Sequence, residues 1–415
     1  MKLTTRSFTV LKINQSHSYY NWCESSCIQS RYLYNTMLYE YRNSYFNKDA
    51  NTLTNTELYH IGKGSEHCDK LPAKCSNQVW MQLTTNISSY WSAIKEYNKN
   101  PEKFKKPPKL PNYNKGMNIV TFEKQALLSS KKLPVNHIRL VRTDIILDLS
   151  RYEGEIREVQ IIPKNNHFII KAIFKQTINQ EDLSHDSVAS IDIGVNNLAA
   201  ITTNQAYIKH ILINGRPLKS INQFYNKTKA KLQSKLPKKQ KSSNRIGLLT
   251  DKRNNKIQDY IHKASRYIVN WLIENKIGTL VIGKNKEWKQ SVNIGSKNNQ
   301  SFTMIPHARF IDLIIYKFES VGGIVKLVNE AYTSKCSALD LEPICKQTEY
   351  KGKRVKRGLF KSSKGVMINA DINGSLNILR KVCGDAAINV VGNDFISNSI
   401  ESQQWAKQSP SKITL

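Results

Sequence analysis

Acidic side chains are scarce in this chain. Over 415 residues, 32 Asp and Glu stand against 63 Lys and Arg, giving a net charge of +31. A merely soluble surface would mix its signs and carry a modest net charge. This shortage of acid instead points to a polyanionic partner, and phosphate backbones are the usual one. Long apolar runs are missing too: none reaches the roughly eighteen residues of a membrane span, so no membrane partner is expected. The opening MKLTTRSFTVLK lacks the apolar stretch of a secretory signal. Cysteine is thin and odd in number, seven in all. That does not read as a disulfide framework, and a reducing, cytoplasmic setting is expected. No internal repeat appears. Hydrophobic residues at 40% and charged ones at 23% describe a globular chain long enough for two or three domains.

What is present falls into blocks. The alternation in LTTRSFTVL makes residues 2–12 a strand. Residues 18–46 and 77–97 read as helices, because Leu33, Met37, Tyr41 and Tyr45 recur every four residues, as do Leu83, Ile87 and Trp91. The stretch 98–114, NKNPEKFKKPPKLPNYN, holds four Pro and five Lys and predicts an extended connector. From Asn118 to about Lys175 strands return, among them IRLVRTDIILDL and HFIIKAIF. A strand, a helical block and more strands predict a small β-barrel with helices inserted after its first strand.

A second region begins near Ser187, where SVASIDIGVNNLAAITTN and YIKHILIN read as successive strands joined by turns. Residues 216–250 carry ten Lys or Arg and no acid, which predicts a helical or partly ordered arm that binds polyanions. An amphipathic helix is expected over 257–275, and a short buried strand at 279–283 (TLVIG). A helix at 305–321, a second buried strand at 324–329 (IVKLVN) and a closing helix from near Ala370 follow. Antiparallel strands followed by helix–strand–helix–strand–helix is the RNase H-like α/β order. The tail after Val391 is expected to be weakly ordered.

Three acids stand at the ends of these elements. Asp192 lies mid-strand between Ile191 and Ile193, where a buried charge is unfavourable unless it binds a metal or pairs with a cation. Its plainer reading is a turn Asp before Gly194. Glu330 follows the strand IVKLVN, and active-site groups of open α/β sheets cluster at such ends; the plainer reading is a solvated loop acid. Asp371 opens the last helix in NADINGSLNI, where ordinary N-terminal charge stabilisation would also explain it. Together on a basic chain the three fit phosphodiester hydrolysis. Two Mg²⁺ ions about 3.5–4 Å apart activate the water and stabilise the leaving oxygen, and Mg²⁺ prefers oxygen ligands.

The segments FKKPPKLPNY, DIGVNNLA, GKNKEWKQ, EAYTSK, KRVKRGLF and NADINGSLNILRK resemble the TnpB proteins encoded by insertion-sequence transposons. These are compact RNA-guided nucleases related to type V CRISPR effectors. The resemblance runs from roughly Pro101 to Val382. It implies a RuvC-type nuclease domain over 186–331 and 367–392, after a wedge-like β-barrel over 1–15 and 100–185. It further implies a helical recognition insert over 16–99, a degenerate zinc-ribbon-like basic insert over 332–366 and a flexible tail over 393–415. The implied partners are a guide RNA derived from the transposon end and double-stranded target DNA, cut beside a short adjacent motif. A monomer assembled with its RNA in a prokaryotic cytoplasm, at the nucleoid when on target, is expected. DIGVNNLA carries the first catalytic Asp onto Asp192, and NADINGSLNI carries the last onto Asp371.

The chain departs from the family pattern twice. Most relatives have the catalytic Glu at the end of the strand corresponding to TLVIG, and here that position is Gly283. Neighbouring strands lie about 4.8 Å apart, so Glu330, at the end of the next strand, can reach the same site. This implies a rearranged-glutamate branch, with Asp192, Glu330 and Asp371 as catalytic and metal-holding residues; Glu287 is the rival. Relatives also often carry two CxxC pairs between the last two acids. Here only Cys336 and Cys345 fall in that interval, and four ligands make a structural zinc site, so none is expected. Cys23 and Cys27 read as buried small residues, while Cys68, Cys75 and His67 share a loop that leaves a metal alternative open.

Lys227, Lys229, Lys231, Lys238 and Lys239 in the basic arm are expected to grip nucleic acid. So are Lys351, Lys353, Arg354, Lys356 and Arg357 in the 351–364 stretch, which has seven basic residues and no acid. Some of Tyr19, Tyr20, Trp22, Tyr32 and Tyr34 could stack on unpaired bases, with core packing the plainer role. His262 is expected to pack within its helix. Two other functions are compatible with the residues: a nuclease-inactive RNA-guided DNA-binding repressor, and an enzyme of the same fold working without RNA.

Overall fold

The computed structural model describes residues 3–47, 51–177, 180–206, 208–284, 296–386, 411–413 and 415. The chain divides into two compact units, Met1–Thr177 and Ile178–Leu415. No helix among the described residues is long and apolar enough to cross a membrane.

In the first unit, strand β1 (Leu3–Asn14) leads into helix α1 (Tyr20–Phe46). Helices α2 (Asn55–Lys63), α3 (Glu66–Asp69) and α4 (Ala73–Lys99) follow. Residues 104–119 form no regular element. They are held along α1 by side chains: Asn35 exchanges hydrogen bonds with the Asn114 backbone at 2.8 and 3.0 Å, and Arg42 donates to Pro111 O at 2.9 Å. Strands β2 (Val120–Glu123), β3 (Leu127–Leu128), β4 (His137–Leu140), β5 (Ile146–Asp148), β6 (Glu155–Pro163) and β7 (His167–Thr177) complete the unit. They make a four-stranded sheet in the order β1-β7-β6-β2 and a three-stranded sheet in the order β3-β4-β5.

The two sheets share one core. Phe122, Val159, Ile161 and Ile170 from the first pack in the same cluster as Ile138, Leu140 and Leu147 from the second. Cys23, Cys27 and Cys75 seal it from the helical side. Cys68 belongs to a separate helical core with Leu33, Met37, Leu58 and Leu83. The loop expected around Cys68, Cys75 and His67 is thus helical, and its two thiols face different cores. His67 is hydrogen-bonded to Gln29 at 2.9 Å and stacked on Tyr32. That arrangement overturns the metal alternative for these residues.

In the second unit, β8 (Ser184–Ile193), β9 (Asn197–Thr203) and β10 (Ile211–Asn214) run antiparallel in sequence. Two helices then carry the basic arm, α5 (Arg216–Gln233) and α6 (Asn244–Glu274). The helix expected over 257–275 is therefore the second half of a 31-residue one. Ser243 caps it, its side chain accepting from the Ile246 amide. Next come β11 (Ile277–Gly283), α7 (Ser296–Met304), α8 (His307–Glu319) and β12 (Ile324–Val328). A small sheet of β13 (Lys353–Lys356), β14 (Leu359–Lys361) and β15 (Met367–Asn369) leads directly into α9 (Ala370–Cys383).

The large sheet has the order β12-β11-β8-β9-β10-β16, with β16 (Ser411–Ile413) added parallel to β10. So three residues of the expected flexible tail are a strand, while 387–410 lie outside the described residues. Both β11 and β12 run parallel to β8. Successive side chains on a strand face opposite sides. On β8, Ala189, Ile191 and Ile193 join the core with α6 and α8, while Val188 packs with Ile378 and Leu379 of α9. Asp192 falls on the α9 side by the same alternation. Strand β12 corrects an expectation: it sits at the sheet edge, with Ile324 45% and Leu327 49% exposed, so it is not buried.

Candidate active site

The site is built where β8, β11 and β12 end and α9 begins. Asp192 is the last but one residue of β8, and the register pairs Ile191 with Ile282, so Gly283 stands beside Asp192 on the neighbouring strand. Gly283 in turn pairs with Val328 of β12, and Glu330 follows two residues later. A Cβ on Gly283 would stand 2.6 Å from Ile378 Cδ1, 3.0 Å from Glu330 Oε2 and 3.2 Å from Glu330 Cβ. The Glu330 side chain thus occupies the space over the end of β11 that a side chain at position 283 would need.

Helix α9 sets the other side. Asn369 caps it, its side chain accepting from the amides of Asp371 and Ile372. This leaves the Asp371 carboxylate in the first turn, where the helix dipole favours a negative charge. Asn197, at the start of β9, donates to Asp371 Oδ2 at 2.7 Å. One turn further on, a Cβ on Gly374 would lie 2.6 Å from Asp192 Oδ2, so only glycine lets the helix approach the carboxylate this closely. The approach is pinned by buried hydroxyls: Ser190 Oγ lies 2.7 Å from Thr202 Oγ1 and 3.0 Å from Ser375 Oγ, and also donates to Ser375 O at 2.7 Å.

The electrostatics follow from this crowding. The carboxyl of Asp192 is pushed well above the usual range, first by burial and then by the negative charges of Asp371 and Glu330, with Arg354 opposing. Glu330 is pushed up to about 7 by burial, with Lys381 opposing. Arg354 of β13 reaches to 4.0 Å from Asp371 Oδ1, but its side chain is 51% exposed, so as an ion pair it is weak. Among the described residues no three His, Cys, Asp or Glu side chains stand at metal-holding spacing. The donor set is nonetheless all carboxylate oxygen, which suits Mg²⁺, and a cation would relieve the mutual repulsion that raises Asp192.

The family model OrfB_IS605, described as a probable transposase, matches residues 171–289, and the Cas12f1-like TNB domain model matches residues 307–378. A TnpB-like protein of Methanocaldococcus jannaschii is 24% identical over 233 residues, covering 55% of this chain and 79% of the relative. Over these stretches the chain is similar to TnpB-like proteins. A second TnpB-like protein, from Acidianus two-tailed virus, is 24% identical over 210 residues, 48% of this chain and 42% of that relative. Among solved structures, the Cas12f1 chain of a Cas12f1–sgRNA–target DNA complex superposes with a TM-score of 0.53 at 16% identity. That match covers 86% of this chain and 81% of the other. At that identity the likeness is one of fold, a mixed α/β architecture built on sheets.

In this chain the three expected acids lie at neighbouring element ends, and Asp192 feels the charge of both others. Glu287 lies outside the described residues. Of the expected grip residues, Lys227 and Lys231 are exposed on α5, and Lys238 and Lys239 are exposed in the segment before α6. Lys229 instead lays its ammonium 5.7 Å from the centre of the Tyr225 ring. Lys351, Lys353, Lys356 and Arg357 are exposed on or beside β13.

The aromatic residues sort largely into the core. Tyr34 is buried, and Tyr19, Tyr20 and Trp22 pack against the core shared by the two sheets, leaving Tyr32 exposed at 41%. His262 is exposed on α6 and does not pack as expected. Sequence reasoning missed Asn197, the reach of Arg354 and the role of Gly374. Only the last had a signal: a glycine inside a helix costs about 1 kcal/mol against Ala and calls for a packing reason.

Proposed function

We propose that this chain is an RNA-guided, Mg²⁺-dependent DNA endonuclease of an insertion-sequence transposon, with Asp192, Glu330 and Asp371 holding two metal ions. The observation that carries the reading is that Asp192 feels the negative charges of both Asp371 and Glu330. The second unit is read as a RuvC-type, RNase H-like nuclease domain, which its strand order supports. The first unit is read as a wedge β-barrel with a helical recognition insert. Guide RNA and target DNA are the proposed partners, supported by the charge of +31 and by the fold shared with a protein solved with both kinds of ligand. Glu330 is read as marking a rearranged-glutamate member, supported by its side chain filling the space that a side chain on Gly283 would need.

Bound metal would supply an activated water and a stabilised leaving oxygen. The protein's own parts prepare the place for it. Partial burial of Asp192 and Glu330 raises the proton affinity of both carboxyls, and a bound cation would take the proton's place. Asn197 orients Asp371 by its hydrogen bond, and the Ser190–Thr202–Ser375 hydroxyls keep α9 at a fixed distance from β8. Arg354 and the other cations of the 351–357 stretch would draw a phosphate backbone towards the acids.

The test is reconstitution of the full chain with its co-purified RNA on matched DNA in Mg²⁺. Wild type should cut, whereas Asp192→Ala and Glu330→Gln should each lose most activity, about 100-fold or more, while Glu287→Gln should cut almost normally. Absence of specific RNA in the purified protein would overturn RNA guidance. An active Glu330→Gln with a dead Glu287→Gln would overturn the rearrangement. A wild type that binds its matched target without cutting would turn the reading to an RNA-guided repressor.

A further inference from the structure

We propose that Lys381 is a positioning residue that sets the place of Glu330. The inference rests on the reading of Glu330 as a metal ligand and goes beyond it by naming what holds that acid where a rearranged layout needs it. Lys381 Nζ donates to the carbonyl of Asn329 at 2.8 Å and to the carbonyl of Ala331 at 2.9 Å. These are the residues on either side of Glu330. One ammonium therefore grips the backbone before and after the acid.

The segment it grips has reason to need holding. It leaves an exposed edge strand, and within three residues Tyr332 adopts φ +67°, a left-handed conformation that side chains other than Gly, Asn and Asp rarely take. Local bonds shape the turn. Asn329 Oδ1 accepts from the Ala331 amide at 2.7 Å, and Thr333 Oγ1 donates to Glu330 O at 2.8 Å. They do not tie it to the rest of the site, which α9 does. Asn377 Nδ2 donates to Thr333 O at 2.9 Å, and Lys381, one turn later, closes the other side. Side chains on a helix tilt towards its N-terminus, so a lysine in the last turn reaches back towards the acids.

The same helix carries Asp371 in its first turn and packs Gly374 on Asp192. Helix α9 thus carries one acid, packs on the second and holds the backbone on either side of the third. Glu330 is the one acid that lies on an irregular segment, and Lys381 supplies the link that the regular structure does not. An acid at the end of β11 would need no such clamp, since the centre of the sheet would fix it.

The experiment compares Lys381→Met and Lys381→Arg with wild type in the full chain. Three properties are read: amide exchange over residues 329–336, Mn²⁺ binding followed by electron paramagnetic resonance, and cleavage by the RNA-loaded protein. Lys381→Met should exchange about 10-fold faster in that segment only, bind Mn²⁺ about 10-fold more weakly and cut about 10- to 100-fold more slowly. Its binding to target DNA and the salt dependence of that binding should stay at wild type. Lys381→Arg, which can still donate to both carbonyls, should recover most of each loss.

Unchanged exchange in Lys381→Met would overturn the proposal. Faster exchange with wild-type Mn²⁺ affinity and cleavage would also overturn it, leaving a purely structural bond. A shallower salt dependence would overturn it in favour of a phosphate contact. Mn²⁺ binding that is the same in wild type and Glu330→Gln would overturn the reading of Glu330 itself, and this proposal with it.

Discussion

Glu330 holds its proton to about 7, and Asp192 holds its own well above the ordinary range, both first because they are buried. A carboxyl whose folded pKa is raised favours the folded state while it is protonated. Between its ordinary value and its folded value the native state binds more protons than the unfolded chain, so stability falls as pH rises. For Glu330 that window runs from 4.5 to about 7. A metal ligand must be ionised, so protons compete with Mg²⁺ across the same window. The melting temperature should therefore rise more on adding Mg²⁺ at pH 8 than at pH 6, as scanning calorimetry would measure. Glu330→Gln should remove much of the difference. Equal shifts at the two pH values would mean that the buried carboxyls take no metal. Asp192 was legible at this scale because an ionisable residue between two Ile in a strand is conspicuous in any sequence. Asn197 and Arg354 were not, because each meets Asp371 only once the chain has folded.

Helices were the most readable elements. Helix α1 lies within two residues of its expected start, and α9 starts at Ala370 as its capping Asn369 and Asp371 suggest. Strand β12 shows why the rest was harder. Five largely apolar residues look the same whether they sit in the middle of a sheet or at its edge, and only the strand order reveals which face is covered. The stretch expected as a loop around His67 and Cys68 is the helix α3, whose four residues give too little periodicity to read. The β13–β14 hairpin carries an element-level prediction. Its cations are exposed and its turn is tied to α9 by the bond from the Ala370 amide to Gly358 O at 3.1 Å. A phosphate strand gripped there would lie by the first turn of α9. Replacing Lys351, Lys353, Arg354, Lys356 and Arg357 by Gln should weaken DNA binding. It should also flatten the plot of log affinity against log salt by about 0.9 for each phosphate no longer gripped. Identical slopes for the two proteins would mean that the hairpin faces solvent in the complex.

Over the whole molecule, charge and chemistry are separable. The excess of 31 positive charges is spread along both units, whereas Asp192, Glu330 and Asp371 all belong to the second. Asp192→Ala should accordingly keep its RNA and its affinity for matched DNA while losing cleavage, measured by filter binding beside a nuclease assay. Loss of RNA from this variant would mean that the acid has a structural task besides its proposed one. The basic balance was readable from composition alone, but which cations grip and which merely pack, as Lys229 does on Tyr225, needed the fold. Gly283 carries a wider consequence. The space above it is filled by a side chain from 47 positions downstream. A side chain that follows one strand thus takes the volume left empty at the end of its neighbour. Comparing protein chains column by column along the sequence would miss that filling of one position's volume by another, whereas comparing positions in space would find it.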